Sequence, residues 1–381
     1  MRLVIAGGGT GGHLFPGLAL AEELLSRGSE HAVLCMGARG GIEERIVPRH
    51  GLKLELLPSL KGGFFNLNGP RRAWQSVRGY LQARRTILNF GADAVVGLGG
   101  YASALPVAAG WGLELPVMLM EQNVIPGRTS RWLAGFANEI GVQFPEASPY
   151  FKNPARVKHV GNPLRTQVRN AAEAAAERNT ALRETLAEPT ILVVGGSQGA
   201  RALNDIAVKA WSKLKQSIPG VRMILVSGRD DESRTVEAFA AVGGRGQVIG
   251  FTESMEELYA QADVVLARAG ATSLAEICAF ALPAVLVPYP FAADNHQVAN
   301  AKVFAERGAG WLMHQKNIEI DRLAQRLADA ALQPERRRKM AQASYSLAAP
   351  RAAAETIDRL LALAAQKNSA PSENVKLADV A

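Results

Sequence analysis

Short apolar runs alternate along the chain with longer stretches in which apolar residues recur every three or four positions. The first run, residues 2–6, leads into glycines and then into an amphipathic segment over 16–27. Further runs lie at 31–36, 94–98, 117–120 and 139–142, with a second amphipathic segment over 71–89. Short β-branched or apolar runs bounded by glycine or proline predict strands, and the longer periodicity predicts helices. Repeated strand–helix–strand order predicts a parallel sheet covered on both faces. The pattern then restarts. Residues 171–188, rich in Ala, Glu and Arg, predict a solvated helix or linker, and new runs follow at 190–194, 222–227, 247–249, 263–267 and 284–288. The expected fold class is α/β, with two Rossmann-like, doubly wound parallel-sheet domains meeting near residues 161–163. A length of 381 residues suits two cores rather than one. From about residue 366 the chain is polar and patternless, so a mobile tail is expected.

Composition narrows the class. Two cysteines, Cys35 and Cys278, are too few for a disulfide framework, and both sit in apolar runs, which predicts buried free thiols. The most apolar stretch, 274–293, is interrupted by Glu276, Pro283, Pro288 and Pro290 and cannot span a bilayer as a helix. The N-terminal apolar run is too short for a signal peptide. A cytoplasmic protein is expected. A formal charge of +8 makes phosphates, nucleic acid and anionic lipid candidate partners. No nucleic-acid motif is present and aromatic residues make up only 6%, so nucleic acid is not expected.

Three glycine-rich turns follow strands: Gly7-Gly8-Gly9-Thr10-Gly11-Gly12-His13, Gly97-Leu98-Gly99-Gly100-Tyr101 and Gly195-Gly196-Ser197-Gln198-Gly199-Ala200. Glycine lets a ligand approach the backbone, and the helix that follows offers free N–H groups suited to phosphate. The second strand ends Met36-Gly37-Ala38-Arg39 without the acid that would hold a dinucleotide ribose, which argues against NAD. His13 ends the first turn at the carboxyl edge of the sheet. A helix N-terminus there disfavours imidazolium and leaves a ring able to accept a proton. In the second half, Arg268-Ala269-Gly270-Ala271-Thr272-Ser273-Leu274-Ala275-Glu276 runs from a strand into a helix, and Glu276 can accept both hydroxyls of a ribose diol. Asp294, Asn295, His296, Gln297 and Asn300 crowd the next loop, a pattern suited to sugar hydroxyls.

The combination resembles the MurG family of UDP-N-acetylglucosamine transferases. The resemblance rests on Gly8-Gly9-Thr10-Gly11-Gly12-His13, Glu121-Gln122-Asn123, Gly161-Asn162-Pro163 with Arg165, the 195–200 turn and the 271–276 turn, in the family's order over residues 1 to roughly 360. It implies a GT-B fold with the site in the interdomain cleft. Residues 1–161 plus about 350–365 would form the acceptor domain, 162–349 the donor domain and 366–381 a tail. It implies inverting, β-1,4-forming transfer of N-acetylglucosamine from UDP-GlcNAc to a lipid-linked muramoyl-pentapeptide in peptidoglycan synthesis, at the cytoplasmic face of the inner membrane. Carried over by residue, Thr10, Gly11, Gly12 and Asn123 would approach the donor sugar and acceptor. Arg165 and Ser197 would contact the donor, the backbone at Phe251 and Thr252 would read uracil, Ala271, Thr272, Ser273, Leu274, Ala275 and Glu276 would hold the α-phosphate and ribose, and Gln297 the sugar. Where some relatives carry Gln-Gln, this chain has His296-Gln297. The related architecture of non-hydrolysing UDP-GlcNAc 2-epimerases is the competing reading.

For the chemistry, His13 is the first candidate base and Glu121 the second. No Asp-x-Asp triplet occurs, so transfer is expected without metal or cofactor, the departing diphosphate being met by N–H groups and Arg165. Between residues 56 and 92 there is no Asp or Glu, whereas Lys61, Arg71, Arg72, Arg78, Arg84 and Arg85 are present. Phe64, Phe65 and Leu67 sit between turn-forming Gly62-Gly63 and Asn68-Gly69-Pro70, which predicts an apolar loop tip flanked by cations and suited to an anionic membrane. Trp74, Val77, Leu81 and Leu88 have helical spacing, the pattern of a face packed against the sheet.

Overall fold

A computed structural model describes residues 1–58, 70–182, 184, 186–196, 199–218 and 220–369. Seven strands, β1 (Arg2–Ala6), β2 (Ala32–Ala38), β3 (Lys53–Leu57), β4 (Ala94–Gly97), β5 (Val117–Glu121), β6 (Glu139–Val142) and β7 (Val157–His159), build one sheet in the order β3-β2-β1-β4-β5-β6-β7. Six more, β8 (Thr190–Val194), β9 (Arg222–Val226), β10 (Gly246–Ile249), β11 (Val264–Ala267), β12 (Ala284–Leu286) and β13 (Gly310–Leu312), build a second in the order β10-β9-β8-β11-β12-β13. Every ladder is parallel, from β1 against β2 and β4 to β8 against β9 and β11. Each order reverses beside its first strand, between β1 and β4 and between β8 and β11. Loops that leave the carboxyl ends of such a pair diverge to opposite faces and open a crevice.

The strand interiors are apolar because both faces are covered. Leu3, Ile5, Val33 and Cys35 pack with Leu14, Leu18 and Leu24 of the helix Gly11–Ser26 on one side. Val4, Leu34 and Met36 pack with Ala83 and Ile87 of the helix Pro70–Phe90 on the other. The expected thiols are both buried and free, and burial pushes each up to about 12.

Two expectations need correcting. The helix expected over 171–188 spans Thr166–Thr180 and is not simply solvated: Val168, Ala172, Ala175 and Ala176 are buried. The helical-spaced set Trp74, Val77, Leu81 and Leu88 does not pack on the sheet. The buried line of that helix is Gly79, Ala83 and Ile87, and a methyl added at Gly79 would lie 2.7 Å from Leu105 Cδ1. The small residues bring the helix close, and the larger apolar ones face away.

The last helix, Ala352–Ser369, lies against the helix Gly11–Ser26. Its Ala353, Ile357 and Leu360 join the core beside β1, and Arg27 donates to Asp358 Oδ1 at 2.6 Å and to the Ala354 carbonyl at 3.1 Å. The helix continues beyond residue 366, and 370–381 lie outside the described residues. Ile357 is fully buried, so Ile357→Ala should cost about 2–5 kcal/mol by lost burial and a residual cavity. Urea denaturation followed by a probe in the first sheet checks this, and an unchanged midpoint would show that the helix is not part of that core.

Candidate functional site

Thr10 precedes the first helix with extended backbone (φ −140°, ψ 157°), so Gly11 and Gly12 form its first turn and present free N–H groups. His13 follows, half-buried, with Nδ1 3.3 Å from Thr10 Oγ1. The second glycine turn closes on the ring. Gly99 (φ +85°) and Gly100 (φ +72°) adopt left-handed backbone, and a methyl on either would come within 3.5 Å of the imidazole. The second glycine turn thus makes room for the His13 ring that the first one carries. Burial lowers its pKa. The carboxylates Glu121 and Glu43 and the Gly8 backbone oppose that shift, while His296 reinforces it. The direction is the one expected from sequence, but its leading cause is burial rather than the helix N-terminus.

Glu121 ends β5 and is 4% exposed. Its Oε1 accepts the Asn123 N–H at 2.9 Å and the Asn123 side-chain amide at 3.2 Å, and its Oε2 accepts the Gly127 N–H at 3.2 Å. Both oxygens are therefore committed to shaping the loop that carries Asn123. From the other domain, Asn300 closes on that loop. Its Oδ1 accepts the Val124 N–H at 2.9 Å, and its Nδ2 donates to Asn123 Oδ1 at 3.0 Å and to the Ala269 carbonyl at 3.1 Å.

The facing wall is the first turn of the helix Ala271–Ala279. Thr272 Oγ1 donates to the Gly12 carbonyl at 3.1 Å, and Gln143 Nε2 donates to the Ala271 carbonyl at 3.1 Å. The glycine turn of one domain thus touches the small-residue turn of the other. Leu274 points into the core, Ala275 is half-buried, and Ser273 lies near the hydroxyl of the buried Tyr259. Glu276 is half-buried and pushed up to about 7, chiefly by burial and further by Glu256, against the pull of Tyr259 and Arg165. Arg165 bridges toward it. The guanidinium lies 5.3 Å from the Phe15 ring, donates to the Glu253 carbonyl at 3.3 Å and stands 3.8 Å from Glu256 Oε2.

Thr252 Oγ1 accepts the Ser254 N–H at 3.0 Å, which leaves its backbone to any ligand, and Arg229 covers the adjacent Phe251 ring at 4.3 Å. Gln297 Oε1 accepts the Tyr289 N–H at 2.9 Å, and His296 Nδ1 lies 2.8 Å from the Ala293 carbonyl, which fixes the proton on that nitrogen. Asp294 and Asn295 before them hold φ of +50° and +55°. Ser197, Phe64, Phe65 and Leu67 lie outside the described residues. Arg71 and Arg72 fall in the first turn of the helix Pro70–Phe90.

Residues 3–142 match the N-terminal domain of glycosyltransferase family 28, and residues 190–357 match its C-terminal domain. A Geobacter sulfurreducens protein named UDP-N-acetylglucosamine--N-acetylmuramyl-(pentapeptide) pyrophosphoryl-undecaprenol N-acetylglucosamine transferase is 37% identical over 95% of this chain and 98% of its own. The crystal structure of Acinetobacter baumannii MurG matches with a TM-score of 0.75 at 28% identity, over 95% of this chain and 99% of that one. The chain belongs to the MurG family. A UDP-N-acetylglucosamine 2-epimerase structure from Listeria monocytogenes shares the fold, with a TM-score of 0.66 at 15% identity over 97% of both chains. The MurG family is one of glycosyltransferases, and the two parallel sheets with their interdomain cleft are its GT-B architecture.

In this MurG-family chain sequence reasoning missed two supports of the site. Glu43 is fully buried behind the first glycine turn, and its only signal was an acid pair, Glu43-Glu44, after Gly40-Gly41. Arg268 is 6% exposed and donates to the carbonyls of Val287 and Pro288 and to Gln315 Oε1, holding the loop that leads to Gln297. Nothing in the pattern distinguished it from a surface arginine.

The Glu276 shift has a measurable consequence. Folding favours its protonated form, so the stability it contributes is complete below the ordinary value of 4.5 and is lost as pH rises through about 7. Wild type should lose on the order of 3 kcal/mol relative to Glu276→Gln across that interval. Urea denaturation of both proteins at several pH values reads this difference, and parallel pH curves would refute the shift.

Proposed function

We propose that this chain transfers N-acetylglucosamine from UDP-N-acetylglucosamine to a lipid-linked muramoyl-pentapeptide, the step that completes the disaccharide of the peptidoglycan precursor. The reading rests on one juxtaposition: the His13 turn of one sheet meets the 271–276 turn of the other through the Thr272–Gly12 bond. A nucleotide diphosphate on the second turn then has its sugar directed at His13.

Residues 1–161 with about 350–365 act as the acceptor domain and 162–349 as the donor domain. The free N–H groups at Ala271, Thr272 and Ser273 receive the α-phosphate, the ribose hydroxyls are held by Glu276, and uracil is read by the backbone at Thr252. Gln297 keeps an amide N–H for the sugar while its oxygen is fixed by Tyr289. Arg165 and Ser197 meet the diphosphate. At the other wall Thr10, Gly11, Gly12 and Asn123 line the approach of the acceptor hydroxyl.

His13 removes the proton from that hydroxyl as it attacks the anomeric carbon, and UDP leaves from the opposite face with inversion. A lowered pKa keeps the ring neutral and receptive, while buried Glu121 stabilises the imidazolium that forms. Glu121 itself is poorly suited to take the proton, since both oxygens already accept N–H bonds. With no Asp-x-Asp in the sequence, the leaving charge is met by helix N–H groups and Arg165 rather than by a metal.

The acceptor's lipid stays in the bilayer, so the enzyme comes to it. No described helix is long and apolar enough to cross a membrane. The helix Pro70–Phe90 instead exposes Trp74 (66%), Val77 (51%), Leu81 (57%) and Leu88 (52%), interleaved with exposed Arg78, Arg84 and Arg85 and with no acid anywhere along it. An apolar stripe edged by cations lies in the headgroup region of an anionic leaflet. In the sequence, Phe64, Phe65, Leu67, Arg71 and Arg72 precede this stripe as further candidate membrane contacts, and the docking face is the cytoplasmic one.

Radiolabelled UDP-N-acetylglucosamine and a lipid-linked muramoyl-peptide, incubated with the enzyme in excess EDTA, should give labelled disaccharide lipid. Formation of UDP-N-acetylmannosamine instead would make it an epimerase, and strict dependence on Mg²⁺ would overturn the metal-free mechanism. His13→Ala should lower kcat by roughly 10²–10⁴ with little change in KM, whereas a loss confined to KM would make His13 a binding residue. In a separate experiment, wild type should sediment with anionic vesicles, less so at high salt. The double variant Trp74→Ser, Leu81→Ser should stay in the supernatant with an unchanged circular dichroism spectrum, and equal binding by the two would place the docking surface elsewhere.

A further inference from the structure

Glu43 opens the short helix Glu43–Ile46 behind the first glycine turn and has no exposed surface. Its two oxygens are spent on backbone. Oε2 accepts the Gly9 N–H at 2.8 Å, and Oε1 accepts the Ala38 N–H at 2.9 Å. The carboxylate thus ties the middle of the Gly7–Gly12 turn to the end of β2.

The surrounding chain is shaped to admit it. A methyl group added at Gly8 or at Gly41 would coincide with the carboxyl group, and one at Gly37 would press on its stem. Three glycines from three separate positions therefore give way to one acid. A buried carboxylate in a largely apolar setting is costly to keep unless its lone pairs are filled. Here the donors filling them are amides of a loop that would otherwise be free to adopt many conformations, since it contains five glycines in six residues.

We propose that Glu43 is a positioning residue for transfer: it fixes the glycine turn that carries His13 and supplies a fixed negative charge behind it. It acts through the turn and touches no substrate. The charged and titratable groups that bear on the His13 ring are Glu121 from the end of β5, His296 from the donor domain and Glu43 from behind, so removing Glu43 leaves Glu121 as the one carboxylate opposing His296 and burial. The proposal rests on His13 acting as the base in the reaction above.

Glu43→Gln keeps the size but sets an amide N–H against one of the two backbone N–H donors. It should lower kcat by roughly tenfold or more with a much smaller change in the KM for UDP-N-acetylglucosamine. It should also shift the acidic limb of the kcat/KM profile to lower pH, because loss of a nearby negative charge disfavours imidazolium. Gly41→Ala displaces the same carboxylate from outside the glycine turn and should move the pH limb in the same direction. Active-site titration with a tight UDP-sugar analogue corrects both variants for any unfolded fraction.

Wild-type transfer is measured first, and its absence would refute the reaction rather than this role. With wild type active, a Glu43→Gln enzyme whose kcat per titrated site and pH profile match wild type would overturn the proposal. A loss that vanishes once the unfolded fraction is corrected, with the pH limb unmoved in both variants, would reduce Glu43 to a stabilising residue and overturn it equally.

Discussion

The side-chain amide of Asn300 is the joint on which the site depends. It is fully buried, and it fills its oxygen with Val124 N–H while its nitrogen serves Asn123 and the Ala269 carbonyl. One partner loop descends from Glu121 at the end of β5, and the other precedes the 271–276 turn. A buried amide left half-satisfied costs a large part of a hydrogen bond's desolvation, about 1–3 kcal/mol, so the two loops are favoured in this one relation. The Thr272–Gly12 and Gln143–Ala271 bonds repeat that relation nearby. Outer ion pairs such as Arg49–Glu253 and Arg131–Asp294 join exposed groups and add little.

Two kinds of carboxylate follow from this arrangement. Glu43 and Glu121 are buried but surrounded by N–H donors, and they serve as struts with charge. Glu276 is less buried, yet its neighbours do not compensate: Tyr259 and Arg165 favour the anion, but burial and Glu256 outweigh them. The first two are complete without ligand. Two acids near His13 held by backbone N–H groups, and one across the cleft raised by burial, thus divide a single chemical type by its surroundings.

Much of the fold was legible because the strands buried on both faces read as continuous apolar runs: β1, β6 and β8 fall where their patterns predict them. β3 and β7 escaped notice at sheet edges where charges break the run, as in Lys53-Leu54-Glu55 and Val157-Lys158-His159, and β13 is only three residues long. The site was legible where chemistry required unusual composition, as in the glycine turn before His13. It was not legible where an ordinary residue acts through folding, as Glu43 and Arg268 do, since bonds to distant backbone leave no local trace; Asn300, read from its loop as suited to sugar hydroxyls, is instead fully buried on Val124, Asn123 and Ala269. The helix Pro70–Phe90 shows the opposite limit. Periodicity revealed an apolar stripe but not its direction, and the packing of Gly79 against Leu105 decided it.

The two cysteines bear on how the molecule opens. Cys35 lies in the first sheet and Cys278 in the helix beside the second, so each domain carries one. With both thiols pushed up to about 12, reactive thiolate is scarce at neutral pH, and enclosure keeps reagents out as well. In the folded state the two thiols therefore react slowly with alkylating agents. Any labelling that does occur reports a transient opening, and which of the two sulfurs is marked tells which half of the molecule opened.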